Sequence, residues 1–270
     1  VDRYLIDTLD RAELRLGVPN RENIALRFDE PWEGTFSGYI TVIKDGSRYR
    51  MYYRGRPTDK LEYVTCYAES PDGLHWSKPA LSLHSYGERL TTNIVLKGGS
   101  VSSNFSPFLD ANPKTKPDER FKAVGGDNFT GLFALVSTDG IEWRLMQPEP
   151  VFRSGAFDSQ NVPFWSDAEG CYVLYFRVFT EGNAEKNIFE GIRTIARTTS
   201  QDFIHWSPPV RMVFGETAME HLYTNQTHPY YRAPHIYLSF PMRLVPERRL
   251  LDSAEARKLG VFEDRENHIS

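Results

Sequence analysis

The chain has 270 residues, with 32 Lys+Arg against 36 Asp+Glu, a net charge of −4 and a pI near 6.0. That balance excludes the basic face a nucleic-acid binder needs, and no apolar run approaches the ~18 residues of a membrane-spanning helix. Hydrophobic residues make up 40% and aromatics 13%, at a mean hydropathy of −0.48, so this is an ordinary globular chain rich in residues that suit strands and sugar-stacking surfaces.

The chain opens at Val1 without a charged-then-apolar leader, so a signal peptide is absent or already removed and the compartment stays open. Apolar residues at helical spacing predict a short helix within Leu5 to Leu16, in an N-terminal segment of residues 1–27 that precedes a β domain over 28–270. Ser37–Ile43, the turn Lys44-Asp-Gly46 and Tyr49–Arg54 then read as a hairpin. Tyr63–Ala68 leads into Ser70-Pro-Asp72-Gly-Leu-His-Trp76. The second period holds Ser106–Leu109, a polar loop from Asn112 to Arg120, Phe121–Val124, and Leu132–Val136 before Ser137-Thr-Asp139-Gly-Ile-Glu-Trp143. In the third come Asn161–Trp165, the turn Asp167-Ala-Glu-Gly170, Tyr172–Arg177, and Ile192–Arg197 before Ser200-Gln-Asp202-Phe-Ile-His-Trp206. A fourth opens with Thr227–Tyr231 and Ile236–Phe240, and Asp252 caps a helix through Leu259 that ends at Gly260.

The repeat carries the fold. Its tryptophans are 67 and 63 residues apart, each following a strand and an Asp-led turn, whose Asp-Gly in the first two copies supplies positive φ. A period holding four antiparallel strands is a propeller blade, which makes the chain all-β. Cys66 and Cys171 lie inside strand-like runs and read as small buried hydrophobes, not a disulfide framework.

The blade pattern, the Asp-Gly-x-x-Trp turns and Asp110-Ala-Asn-Pro113 before a charged loop resemble the five-bladed propellers of glycoside hydrolase families 32, 43 and 68, and in particular uncharacterised bacterial members. The resemblance runs from about Phe28 to Val245. It implies a carbohydrate substrate, no cofactor, and acids on the innermost strands. The last period lacks its closing strands and a fifth blade, so the chain is expected to be either a fragment or an open form that closes through another copy.

Glycoside cleavage takes two carboxyl groups, one protonated and one ionised. Each period offers an acid near its inner strand: Asp29 and Glu33, Asp110, Asp158, and Glu220. By resemblance Glu220 falls at the general acid and Asp158 at the acid that tunes it. The first-period base or nucleophile would be Glu33 or Asp29, with Glu33 preferred because Trp32 and Gly34 read as an exposed site edge. Asp110 suits a turn, and it also stands among the candidate substrate-binding residues.

Polar strings mark the binding residues. Ser159, Gln160 and Asn161 follow Asp158, and His221, Tyr223, Asn225, Gln226 and His228 crowd behind Glu220; such groups are costly to bury without a ligand or a network. Arg54, Arg177 and Arg232 sit near strand ends or turns, either as surface cations lying over aromatics or as a fork for an anionic sugar or phosphate. His221, His228 and His235 are spaced by seven, which fits no compact metal-ligand pattern. Three readings follow: a glycoside hydrolase, a phosphate-dependent phosphorylase, and a non-catalytic carbohydrate-binding propeller.

Overall fold

The computed structural model describes residues 7–13, 15, 17–18, 24–34, 37–57, 62–246, 248 and 251–259. Three four-stranded antiparallel sheets follow one another, each with its strands in sequence order. The first is β1 (Gly38–Asp45), β2 (Arg48–Gly55), β3 (Val64–Ser70) and β4 (Ile94–Lys97). The second is β5 (Ser106–Leu109), β6 (Phe121–Asp127), β7 (Gly131–Ser137) and β8 (Arg144–Leu145). The third is β9 (Val162–Ser166), β10 (Cys171–Asn183), β11 (Ile188–Ser200) and β12 (Val210–Arg211). Two short pairs complete the β structure: β13 (His221–Leu222) with β16 (Arg243–Leu244), and β14 (His228–Tyr230) with β15 (Ala233–Leu238). The first strands of successive units touch in order, β1 with β5, β5 with β9 and β9 with β14. Innermost strands ringed about one axis, with antiparallel sheets fanning outward, make a β-propeller arrangement.

Aromatic cores glue one blade to the next. Between the first two, Tyr52, Tyr67, Phe105 and Phe121 are buried, and Trp143 packs edge-on to Phe105 at 4.8 Å. Between the second and third, Phe108, Phe157, Tyr172, Phe176 and Phe203 form the largest cluster. Phe164, Tyr175 and Leu222 continue it to the fourth unit, where Tyr237 meets Phe164 at 5.1 Å. Each such ring removed from water contributes on the order of 1.5–3 kcal/mol.

The repeated turn works differently from a simple hairpin. Asp72 Oδ1 accepts from the backbone N–H groups of Leu74 and His75, and Ser70 Oγ accepts from Gly73 N–H. Asp139 with Ser137, and Asp202 with Ser200, make the same bonds. Trp76 and Trp143 then donate Nε1–H to the carbonyls of Gly73 and Gly140. Positive φ is needed at Gly73 (80°) and Gly140 (75°), yet the third copy places Phe203 there at 67°. Phe203 is fully buried, so packing outweighs the left-handed strain of ~1–2 kcal/mol.

Both cysteines are buried and unbridged, as expected. Asp252 caps α1 (Ser253–Leu259) by accepting from Ala254 and Glu255 N–H, and Gly260 lies outside the described residues. The N-terminal helix does not appear in the described part of its span: residues 7–13 and 15 are irregular, while Leu5, Ile6, Leu14 and Leu16 lie outside it. Among the described residues no helix is long and apolar enough to cross a membrane.

Candidate active site

One end of the propeller is built from connections between second and third strands and from the crossings between blades. There a cleft of ≈ 710 Å³ is lined by Glu62, Tyr63, Asn104, Asp127, Phe129 and Asp158, among others. Three carboxylates therefore share its wall. Phe129, 83% exposed, offers an aromatic face in a polar surround, and such faces stack well on the apolar side of a sugar ring. Asn104 is fixed by donating Nδ2–H to the carbonyls of Gly126 (3.1 Å) and Phe157 (2.9 Å), and its buried Oδ1 has no hydrogen-bond partner among the described residues. Asp127 commits Oδ1 to the N–H groups of Phe129 and Thr130 at 2.9 Å, closing the β6–β7 turn.

Asp158 is held from three sides. Its N–H donates to Asn128 Oδ1 at 3.0 Å, its carbonyl accepts from Tyr39 Oη at 3.2 Å, and its carboxylate takes the Arg177 guanidinium. The carboxylate is 55% exposed whereas the arginine side chain is 4% exposed. Tyr39 sits in a β1 bulge at φ 52°, a left-handed backbone that costs ~1–3 kcal/mol and is found preferentially at functional sites. Burial pushes its phenol up to about 12, reinforced by Tyr223 beside it. Arg54 lies over the Tyr39 ring at 4.3 Å and Arg177 over Tyr223 at 5.1 Å.

Behind Asp158 lies the polar network anticipated from the sequence. Gln160 Nε2–H reaches Thr41 Oγ1 at 3.2 Å, and Gln226 Nε2–H donates to Gln160 Oε1 at 2.7 Å. Buried Asn161 ties the Phe157 and Ser159 carbonyls together, and Asn225 donates to the Gln160 and Tyr175 carbonyls. These amides tie the first blade, the third blade and the fourth unit together around the axis, and Gln226, at φ 51°, is the second left-handed residue here.

Other predicted residues lie elsewhere. Glu33 is fully buried: Oε1 accepts from Tyr53 Oη at 2.5 Å, and Oε2 from Lys78 Nζ at 2.8 Å and Glu30 N–H at 2.9 Å. Trp32 is no exposed edge either, being 4% exposed with Nε1–H on Asn93 Oδ1. The burial of these two side chains removes the reason for placing a catalytic base there. Asp29 is exposed and shares the Lys78 ammonium at 3.0 Å, which holds its carboxyl below the usual carboxylate range. Asp110 is a buried tie between the second and third blades, accepting from Lys122 Nζ, Thr115 Oγ1 and Tyr172 Oη. Arg232 is exposed in the β14–β15 turn over Tyr231, and His228 is exposed at the start of β14. Glu220 pairs with Arg243 at 2.6 Å, next to the β13–β16 ladder. His221 beside it accepts from the Arg193 N–H at 3.2 Å, which brings this segment to the Arg177 side of the third blade.

Sequence reasoning missed Asp127, Asn104, Tyr39 and Arg193. One signal was available: Gly125-Gly126 before Asp127 packs so tightly that a Cβ on Gly125 would lie 2.2 Å from the Val101 carbonyl oxygen.

No protein-family profile matches the chain. An uncharacterised protein of Mycobacterium tuberculosis (strain ATCC 25618 / H37Rv) is 47% identical over 113 residues, 40% of this chain and 33% of that protein. A second, from strain CDC 1551 / Oshkosh, is 47% identical over 45 residues, 15% of either chain. The match thus spans about a third of the first relative's length. Among solved structures, a glycosyl hydrolase from Bacteroides ovatus is similar at a TM-score of 0.45 and 16% identity, covering 68% of this chain and 54% of that one. A structure from the family 130 mannoside phosphorylases, which contain hydrolases of β-1,2 mannosidic linkages in Candida mannan, gives 0.45 and 15%, covering 72% and 60%. A fructofuranosidase from Schwanniomyces occidentalis gives 0.48 and 12%, covering 83% and 45%. At this distance the reaction has to be argued from the site itself.

Proposed function

We propose that the chain is a glycoside-cleaving enzyme acting on an oligo- or polysaccharide at the cleft beside Asp158. The observation that carries this is a half-exposed carboxylate, braced by a buried arginine, in a polar cleft furnished with fixed amides and an exposed aromatic ring. That combination suits a sugar: the amides meet hydroxyls, the ring meets a C–H face, and the carboxylate meets the reacting centre.

Hydrolysis takes a second carboxyl group. We assign that role to Glu220, whose neighbour His221 bonds Arg193 on the strand paired with the one that carries Arg177. Glu33, sealed in the first blade, takes no part. The same site could pass the glycosyl group to phosphate instead of water, or hold a glycan without cleaving it.

Turnover on a broad panel of oligo- and polysaccharides, with and without inorganic phosphate, separates the three. Glycoside cleavage predicts that Asp158→Asn and Glu220→Gln each lower turnover by ~10²–10⁴, while Glu33→Gln leaves the turnover of the folded fraction unchanged. Strict dependence on phosphate would select phosphorolysis. Glycan binding without turnover on any member of the panel would overturn the enzymatic reading.

A further inference from the structure

In the first three blades both faces of the second strand are covered. Successive residues of β2 face opposite ways, yet Met51, Tyr52 and Tyr53 are all buried. β6 and the first half of β10 are buried in the same manner. The second strand of the fourth unit, β15, departs from that pattern. Tyr237 turns toward the third blade, where it meets Phe164 and Ser166. Ile236 and Leu238 therefore turn the other way. Phe240 and Met242 continue their alternation, since Phe240 N–H still donates to the Asn225 carbonyl and the Met242 carbonyl still accepts from Tyr223 N–H. All four side chains are exposed, Phe240 by 72%.

The first blade presents a second apolar wall. Thr41 and Ile43 of β1 are buried, Ile43 in the core shared with the second blade. Ile40 and Val42 therefore point away from that core, and both are exposed. Val42 pairs with Met51 across the ladder, so the two share a face. Farther out on this face Leu26, Phe28 and Trp32 cover Met51 and Tyr53, but Ile40 and Val42 stay open. First strands touch from β1 through β5 and β9 to β14, and among the described residues no comparable contact returns from β14 to β1. A gap thus separates the fourth unit from the first blade, with apolar side chains on both walls. At its inner end stand Tyr39 and Gln226, which bond Asp158 and Gln160, so the gap opens beside the candidate site.

We propose that this gap is an interface for a second copy of the chain. In the resulting two-fold dimer the fourth-unit wall of each copy packs on the first-blade wall of the other. Two observations select a second copy as the occupant. Both walls have one chemistry, uncharged and apolar until Lys44 marks the rim of the first, so reciprocal contact covers both at once. Such contact is isologous and closes at two copies instead of propagating. The area fits as well. Ile40, Val42, Ile236, Leu238, Phe240 and Met242 leave on the order of 500 Å² uncovered around one gap, at the large end for a monomer and most of the ~800 Å² each partner buries in a stable interface. The dimer forms whether or not the chain cleaves glycosides.

The test is sedimentation velocity of the whole chain at roughly 1–100 μM, the weak end of what interfaces of this size reach. The wild type should sediment as a dimer, at twice the 31.1 kDa of one chain. Phe240→Lys and Val42→Glu, both at exposed positions, should each raise the dissociation constant at least about tenfold. Circular dichroism and the thermal midpoint confirm that each variant is folded. Mixed one to one, the two variants should regain the dimer: the new cation of one copy meets the new anion of the other, while the second contact keeps the native pair. A wild type that stays monomeric at the highest concentration overturns the proposal. Val42→Glu dimerising as the wild type does, or a mixture that stays monomeric, overturns the reciprocal packing on which it rests. No glycan enters the assay, so this failure is distinct from failure of the enzymatic reading.

Discussion

Glu33 and Asp158 enter the sequence on equal terms, each an acid beside polar or aromatic neighbours near the start of a blade. In the structure they are opposites. Glu33 has no exposure and accepts three hydrogen bonds, two of them from groups far along the chain. Asp158 is half exposed on a cleft, and its buried arginine has donors to spare. A buried carboxylate whose lone pairs are matched is part of the scaffold, since any ligand would have to break bonds already made. A half-exposed carboxylate beside unmatched donors can gain by binding something. Net satisfaction, more than residue type or position in the repeat, separates the two.

The largest effect expected from this contrast is on stability. Glu33→Ala removes the acceptor of the Tyr53 hydroxyl, the Glu30 N–H and the Lys78 ammonium together. Breaking a buried ion pair by deleting one partner costs ~3–5 kcal/mol, and because Lys78 keeps Asp29 at 3.0 Å the lower end is expected. Urea unfolding followed by fluorescence measures it. A loss below ~1 kcal/mol accompanied by lost turnover would return Glu33 to the catalytic list and erase the distinction.

Acid sensitivity gives a smaller effect with a defined sign. Asp45 is held below the usual carboxylate range by Arg120 and, against opposing burial, by Arg50. In Glu169, Asp139 and Asp202 burial pushes upward but is outweighed: by Arg197 and Tyr237 for the first, by turn N–H groups and the serine hydroxyl for the second, and for the third by His205 with turn N–H groups. Folded values below unfolded ones mean stability that is full above the unfolded range near pH 4 and is lost as pH falls through the folded values. His221, also depressed, loses its contribution earlier, as pH falls below the unfolded histidine value near 6.5. The unfolding midpoint should therefore fall in two stages, a shallow site-linked one below about pH 6.5 and a steep scaffold-linked one below about pH 4. His221→Gln should diminish the first and leave the second. A single stage indifferent to His221 would separate the histidine from the stability of the site.

What the sequence makes legible follows from the range of the interactions involved. The Ser-x-Asp-x-x-x-Trp turns are local, closed by bonds spanning two or three residues, and they locate the third strands of three blades well. Asp110 is legible as a turn former because its Asx turn to Asn112 N–H is local too. The full length of β10 and β11 escapes, since Thr180, Glu181 and Gly182 break the apolar alternation just where the ladder shifts register. Glu33 escapes because its partners Tyr53 and Lys78 lie 20 and 45 residues away. The core of the candidate site is half legible: Asp158, Gln160 and Arg177 stand out as polar groups beside apolar strands, whereas Asp127 and Tyr39 are recruited by a turn and a bulge that only the folded blades bring to the axis.

The smallest effect belongs to Asp29, and it sharpens the contrast most economically. Asp29 and Glu33 hold the same ammonium, at 3.0 Å and 2.8 Å, so charge and cation are shared, and what differs is burial together with the Tyr53 and Glu30 bonds that Glu33 alone accepts. The Asp29 side chain is 67% exposed. In water its attraction to Lys78 is screened, and ordering two side chains offsets what is left. Asp29→Asn should therefore leave the unfolding midpoint within error of the wild type at physiological salt, with a fall detectable only at low ionic strength. A fall as large as that of Glu33→Ala would mean that the pair is held by the Lys78 charge as a unit. Burial of Glu33 would then no longer be the property that sets scaffold acids apart from Asp158.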